Sequence, residues 1–329
     1  MPRVIRFHRF GGPEVLCVDE MNVRLPGPGE VRLHAKALGL NRAEALMRAG
    51  KYIETPLLPS GLGLEVAGTI EAIGQGVNGF HIGDAVSIIP STSMVQYPTY
   101  GELVVVRSTQ AVRHPEFLNW TEAAAVWMSY LTAYGALVDV AKLKRGDVVV
   151  ITAASSSVGL AAIQIANKIG AIPIAVSRTS AKREKLLEVG AHDVVSTDEQ
   201  DLEADLRKAC GDRGARLVFD AVGGPIFHAL CAALGNGGIL IEYGGLCHEP
   251  TPFPLFQVLV KSLTLRGYLV HEVIRDPGSL EVAKAFILDG LRLGSLRPII
   301  SKAFAFDEIA EAHRYLESNV QFGKIVVTL

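Results

Sequence analysis

Cysteine is scarce in this chain and aromatic residues are few: four cysteines and two tryptophans stand among 329 residues, with aromatics at 7%. Cys17, Cys210, Cys231 and Cys247 form no CxxC pair and no metal-ligand spacing. That excludes a disulfide framework and suggests unpaired thiols in a reducing cytoplasm. Each reads as a small buried hydrophobe, with a reactive thiol as the alternative. A surplus of charge is also missing, since 32 Lys and Arg face 34 Asp and Glu for a net −2. A generic binder of phosphate backbones needs a basic excess, so the balance points away from nucleic acid. No run of about 18 apolar residues is evident, which argues against a membrane span. The opening MPRVIRFHRFGGPEV lacks the apolar stretch of a signal peptide, so no leader is expected.

What is present is an apolar, turn-rich composition, 49% hydrophobic with 33 glycines and 16 prolines. This describes a globular chain, long enough that two domains are expected. Residues 1 to about 115 hold short Val/Ile runs between turn residues (VRLHAKALGL, EVAGTIEAIG, DAVSIIP, ELVVV), the texture of an all-β region. From about 120 to 270 the texture becomes strand, helix, strand. Val148–Ile151 is a continuous apolar run, as a strand buried on both faces should be. Helical patterns at 159–169, 181–189, 202–209 and 225–234 alternate with strand patterns at 172–176, 194–195, 217–219, 239–243 and 263–268. Strands joined by helical crossovers imply a doubly wound parallel sheet, so the fold class is α/β.

The segment VVVITAASSSVGLAAIQIA carries the strongest chemical signal. A strand, a turn of small residues and a helix N-terminus offer free N–H groups to a pyrophosphate. Ser155, Ser156, Ser157 and Val158 are the expected phosphate contacts. The usual three glycines fall at Ala153, Ser156 and Gly159, so only the last survives. A structural turn of another α/β protein is the alternative. The next strand ends in Ser177-Arg178-Thr179 with Lys182 following, where an NAD enzyme keeps an acidic residue for the ribose. Ser177, Arg178 and Lys182 suit a 2′-phosphate instead, which favours NADPH. A solvated helix face is the plain alternative.

The motifs GLNRAE at 39–44, GLGLEVAGTIEAIGQGV at 61–77, SYLTAYGAL at 129–137, SSSVGLAAIQIA at 155–166 and FGKIVV at 322–327 resemble, in order along the whole chain, the zinc-independent medium-chain dehydrogenases/reductases. Their zeta-crystallin-like quinone oxidoreductases are the best-known branch. The resemblance implies a GroES-like β-rich catalytic domain over 1–124 and 268–329, with a Rossmann domain over 125–267. It implies a homodimer or homotetramer with edge strands of the Rossmann sheets paired across subunits. The zinc enzymes of the superfamily take a Cys, a His and a Cys where this chain has Asn41, Leu64 and Met128, so no zinc is expected. Leu64 and Met128 then become expected substrate contacts.

The resemblance also assigns Thr132 beside the nicotinamide, Val222 along the riboses, and Tyr243-Gly244 at the cleft. Tyr268 and Val270 are assigned to the carboxamide, and Lys324 to the phosphates. Asn41 is expected to hydrogen-bond a developing oxyanion, and Tyr52 to stack on or donate to an acceptor ring. A strand-end turn and loop packing are their respective alternatives. The implied activity is NADPH-dependent reduction of quinones or other conjugated carbonyls by direct hydride transfer. Enone or enoyl-thioester reduction, zinc-free alcohol dehydrogenation, and a fold-retaining nucleic-acid-binding or structural role are the rival readings.

Overall fold

The computed structural model describes residues 1–198 and 201–329, which form two compact units: Met1–Met128 with Pro298–Leu329, and Ser129–Arg297. The first unit carries strands β1 (Arg3–Phe7), β2 (Leu16–Glu20), β3 (Glu30–Gly39), β4 (Ser60–Gly61), β5 (Glu65–Ile73), β6 (Ala85–Ile88), β7 (Leu103–Arg107) and β8 (Ala111–Arg113). The far end of the chain adds β15 (Ile300–Ala305) and β16 (Lys324–Thr328). A seven-stranded sheet runs β15-β16-β3-β5-β6-β8 with β7 on β3, beside a three-stranded sheet β2-β1-β4. Along β3, Val31, Leu33, Ala35 and Ala37 are buried while His34 and Lys36 are exposed, the period-two alternation of a strand with one covered face. Where β3 and β5 cross, a side chain at Gly68 would drive its Cβ to 2.0 Å from the His34 carbonyl, so the pairing requires glycine there.

The second unit is a six-stranded parallel sheet, β9 (Val148–Ile151), β10 (Ile172–Ser177), β11 (Asp193–Ser196), β12 (Ala215–Asp220), β13 (Leu234–Glu242) and β14 (Thr264–Gly267). Its order is β11-β10-β9-β12-β13-β14, so the winding reverses between β10 and β12. Such a reversal opens a crevice at the carboxyl ends of the strands. Helix Ser157–Ile169 follows β9 and ends at Gly170, whose φ of +78° needs no Cβ penalty.

One expectation changes. The return to the first unit comes at Pro298 rather than 268. The helix Pro277–Arg292 stays with the parallel sheet because Lys168 pairs with Asp289 at 3.1 Å and Phe286 packs on Tyr134 at 5.1 Å. Among the described residues one helical run, Trp120–Val140, has the length and composition to cross a membrane, and 78% of its window is buried inside the protein, as in a core helix.

Candidate functional site

The turn after β9 explains the altered glycine pattern. Ala153 sits at φ +45°, the left-handed region that the usual first glycine enters freely. Ser156 caps the helix Ser157–Ile169, its Oγ accepting the Gly159 N–H at 3.0 Å, so the serine satisfies one free N–H of the first turn. A Cβ on Gly159 would lie 2.7 Å from the Ala153 carbonyl oxygen and from Ala154 backbone atoms. Only glycine lets this helix approach the strand. Ser155, Ser156, Ser157 and Val158 are all half-buried at the helix start, where the helix dipole favours an anion.

At the tip of β10, Ser177 is buried and its Oγ donates to the Thr179 carbonyl at 2.6 Å, while Arg178 is exposed. The Lys182 ammonium donates to Ser155 Oγ at 3.0 Å, which brings the cationic segment against the phosphate turn. Burial, then the Arg178 and Lys185 charges, push the Lys182 amine below its usual range. Arg183 turns away and pairs with Asp193 at 2.7 Å.

Beyond the switch point, the Asp220 carboxylate at the end of β12 accepts from Thr152 Oγ1 at 2.5 Å, Val222 N at 2.9 Å and Gly223 N at 3.0 Å. Tyr243 stacks on Phe219, centroids 4.0 Å apart, and Gly244 is exposed at the strand end. Thr132, Tyr268 and Val270 are buried in the same unit. Among the described residues the Tyr268 hydroxyl has no hydrogen-bond partner, and Gly135 makes room for it, since a Cβ there would stand 2.0 Å from that oxygen.

In the first unit the three positions of the absent zinc ligands are tied together by buried polar groups. Glu44, fully buried, accepts the Leu64 N–H at 3.2 Å and the Asn41 amide at 3.1 Å. Glu65 accepts the Met128 N–H at 2.8 Å. Lys324 bridges them, donating to Glu65 and, at 2.6 Å, to Asn41 Oδ1. This corrects two expectations. Lys324 does not reach for phosphates, because its ammonium is enclosed by these acceptors with 1% of the side chain exposed. The Asn41 amide, expected to face a substrate oxygen, gives its hydrogens to Gly39 O at 3.3 Å and to Glu44. Leu64 is 2% exposed within the core rather than open to a ligand, and Met128 packs partly buried against that core. Tyr52 also packs there, its phenol pushed up to about 12 by burial and by the Glu44 and Glu54 charges. Burial lifts Glu44 to about 7.

Sequence reasoning missed Glu44, Glu65 and Asp220. Each is an acid placed between apolar neighbours (NRAEAL, LGLEVAG, LVFDAV), a pattern that signals a buried, partnered carboxylate. Among the described residues one group has metal-ligating atoms close together, His8, Cys17 and Asp19. It is a surface ion-pair cluster, with Arg6 at 3.4 Å and His8 at 2.9 Å on the same Asp19 oxygen.

Two family descriptions match the chain, "Alcohol dehydrogenase GroES-like domain" over residues 27–116 and "Zinc-binding dehydrogenase" over 157–284. The quinone oxidoreductase of Lama guanicoe is 31% identical over 330 residues, covering 99% of this chain and 97% of that protein. Among solved structures, Escherichia coli quinone oxidoreductase complexed with NADPH superposes with a TM-score of 0.91 at 28% identity, covering 99% of this chain and 100% of the other. An NAD-dependent alcohol dehydrogenase superposes with a TM-score of 0.89 at 30% identity, covering 99% of each chain. End-to-end likeness of this order, on a chain with Asn41, Leu64 and Met128 at the zinc-ligand positions, places it in the zinc-independent medium-chain dehydrogenase/reductase family, among the quinone oxidoreductases.

Proposed function

We propose that this protein is an NADPH-dependent reductase of quinones or other conjugated carbonyl compounds, working without a metal. The observation that carries the reading is the β10 tip. Residues 177–183 contain no acid, and Arg178 and Lys182 stand there with Lys182 bonded to the phosphate turn. A carboxylate would repel a 2′-phosphate, whereas guanidinium and ammonium groups bind it through charge-assisted hydrogen bonds. The helix N-terminus at Ser157, the glycine-only approach at Gly159 and the Tyr268 hydroxyl, without a partner among the described residues, also fit a dinucleotide.

When bound, the nicotinamide supplies a hydride to an electron-poor carbon or oxygen. The chain's own contribution is to hold the two partners in place and exclude water. Asn41 acts in this reading by fixing the turn after β3 through Lys324 and Glu44. Tyr52, neutral at physiological pH, is the hydroxyl donor left for an acceptor oxygen. Thr132, Val222, Tyr243, Gly244 and the Tyr268–Val270 segment are read as the nicotinamide and ribose wall. Enones and enoyl thioesters develop the same oxygen charge as quinones, so an acceptor panel decides among them. Simple alcohols, with no metal to polarise them, should not turn over.

The test is a double substitution, Arg178→Ala with Lys182→Ala. It should raise KM for NADPH about tenfold or more, given roughly 1.5–3 kcal/mol per charged hydrogen bond, with NADH little changed. Equal effects on both cofactors would refute the assignment.

The same reading includes a homo-oligomer in a reducing cytoplasm. Strand β14 ends the sheet, and the preceding helix Leu255–Lys261 exposes Phe256 at 78% and Val260 at 81%. An open strand edge beside a bare apolar helix suits pairing with a second copy.

A further inference from the structure

Glu242 closes strand β13 at the carboxyl edge of the parallel sheet and stands in register with Asp220 at the end of β12. Register partners on parallel strands point to the same face, so the two acids lie side by side. Asp220 is fully buried and its two oxygens already accept three hydrogen bonds. Glu242 differs, since both its oxygens are buried and, among the described residues, neither has a formed hydrogen bond, the Gly244 N–H acting on the carboxyl only weakly. Its polar neighbour Asp220 is another acceptor. Gly223 lies beside it: a Cβ there would sit 4.0 Å from Glu242 Oε2 and 3.0 Å from Thr251 Oγ1, so glycine and a small hydroxyl side chain border the carboxyl on that side.

We propose that Glu242 is a dinucleotide-binding residue, the acid member of an acid–carboxylate pair, whose second oxygen accepts a hydrogen bond from a ribose hydroxyl. The inference rests on the dinucleotide reading above and adds a ligand that neither motif nor resemblance pointed to. The proton sits on Glu242 and is donated toward Asp220. This satisfies one Glu242 oxygen and leaves the other to accept from a hydroxyl at the strand ends, where such ligands bind. Burial, then Asp220, lift Glu242 to about 9, with the Gly244 N–H pulling weakly the other way.

The titratable groups around the pair are few. Tyr243, the residue after the strand, stacks on Phe219 on the opposite face, and the buried thiol of Cys231 faces Asp220 from the helix Phe227–Ala233. Arg266 of β14 is in register with Ile241, hence on the other face, and pairs with Glu272 at 2.7 Å. Cys247 and Thr251 approach from the segment after β13, against Gly224 and Gly223. No cation among these offsets a second negative charge beside Asp220. Above pH 9 a Glu242 carboxylate would therefore repel both Asp220 and an anionic ligand.

The experiment is Kd for NADPH and for NADH, measured by nucleotide fluorescence on the full chain from pH 7 to 10, in wild type and Glu242→Gln. In wild type both constants should rise by up to about tenfold per pH unit above pH 9. The variant, a fixed neutral mimic that cannot ionise, should show a flat profile over the same range. A rise confined to NADPH would assign the titration to Lys182 and overturn the proposal, as would a flat wild-type profile or an unchanged rise in the variant. A wild-type Kd for NADPH no tighter than for NADH would instead sink the 2′-phosphate assignment and leave this one standing.

Discussion

The Lys324 ammonium donates to the Asn41 side-chain oxygen at 2.6 Å and also to the Glu65 carboxylate, so the last strand of the chain fixes the first turn after β3. Lys324 and Glu65 have side chains only 1% and 2% exposed. Nothing in water can compensate either charge once its partner is removed.

Lys324→Met should therefore cost about 3–5 kcal/mol of stability, the usual penalty for stranding a buried charge. Urea unfolding would show it. Adding Glu65→Gln should recover a large part of the loss, and a double variant as unstable as the sum of the two singles would show that the groups act independently.

Glu44 gives a pH dependence whose sign can be worked out. Its carboxyl titrates near 4.5 unfolded and about 7 folded. The folded state keeps a proton that the unfolded state gives up, so this contribution is full below pH 4.5 and is lost as pH rises through 7. Glu44→Gln, neutral throughout, should gain about 3 kcal/mol relative to wild type between pH 4.5 and 8. Denaturation at the two ends of that range tests it, and a constant difference would contradict it.

The phosphate turn predicts opposite signs at two neighbouring positions. Gly159→Ala forces a Cβ to 2.7 Å from backbone that cannot retreat, and should destabilise by about 1–3 kcal/mol while weakening dinucleotide binding. Ala153→Gly relieves a left-handed alanine at φ +45°, and should leave stability unchanged or raise it by up to about 1 kcal/mol. Thermal unfolding of both variants is the check.

For the homo-oligomer, Phe256→Asp with Val260→Asp places charge on the exposed face of the helix beside β14. The variant should run at lower mass in light scattering while keeping its circular dichroism. An unchanged mass would move the interface elsewhere.

The parallel sheet was legible because its signals are local. The apolar run Val148–Ile151, the small-residue turn and the periodic helices each name their element without long-range information. The boundary at Pro298 was not, since helix Pro277–Arg292 reads the same whichever unit it packs on, and Lys168–Asp289 links positions far apart in sequence. The role of Lys324 was hidden for the same reason. A lysine near a chain end reads as a surface cation until folding puts Glu65 and Asn41 around it. Asn41 shows a further limit, because an amide's chemistry is evident from its residue type but its hydrogen-bond partners depend on tertiary structure.

Both tryptophans, Trp120 and Trp127, belong to the first unit, and Trp127 is buried with its indole N–H on Ser87 Oγ at 2.9 Å. The nucleotide-type sheet has none. Indole emission therefore reports on one half of the molecule alone, while far-ultraviolet ellipticity is weighted toward the helices of the other. Following both signals through one denaturant titration would show whether the halves melt together or in sequence, with no label added.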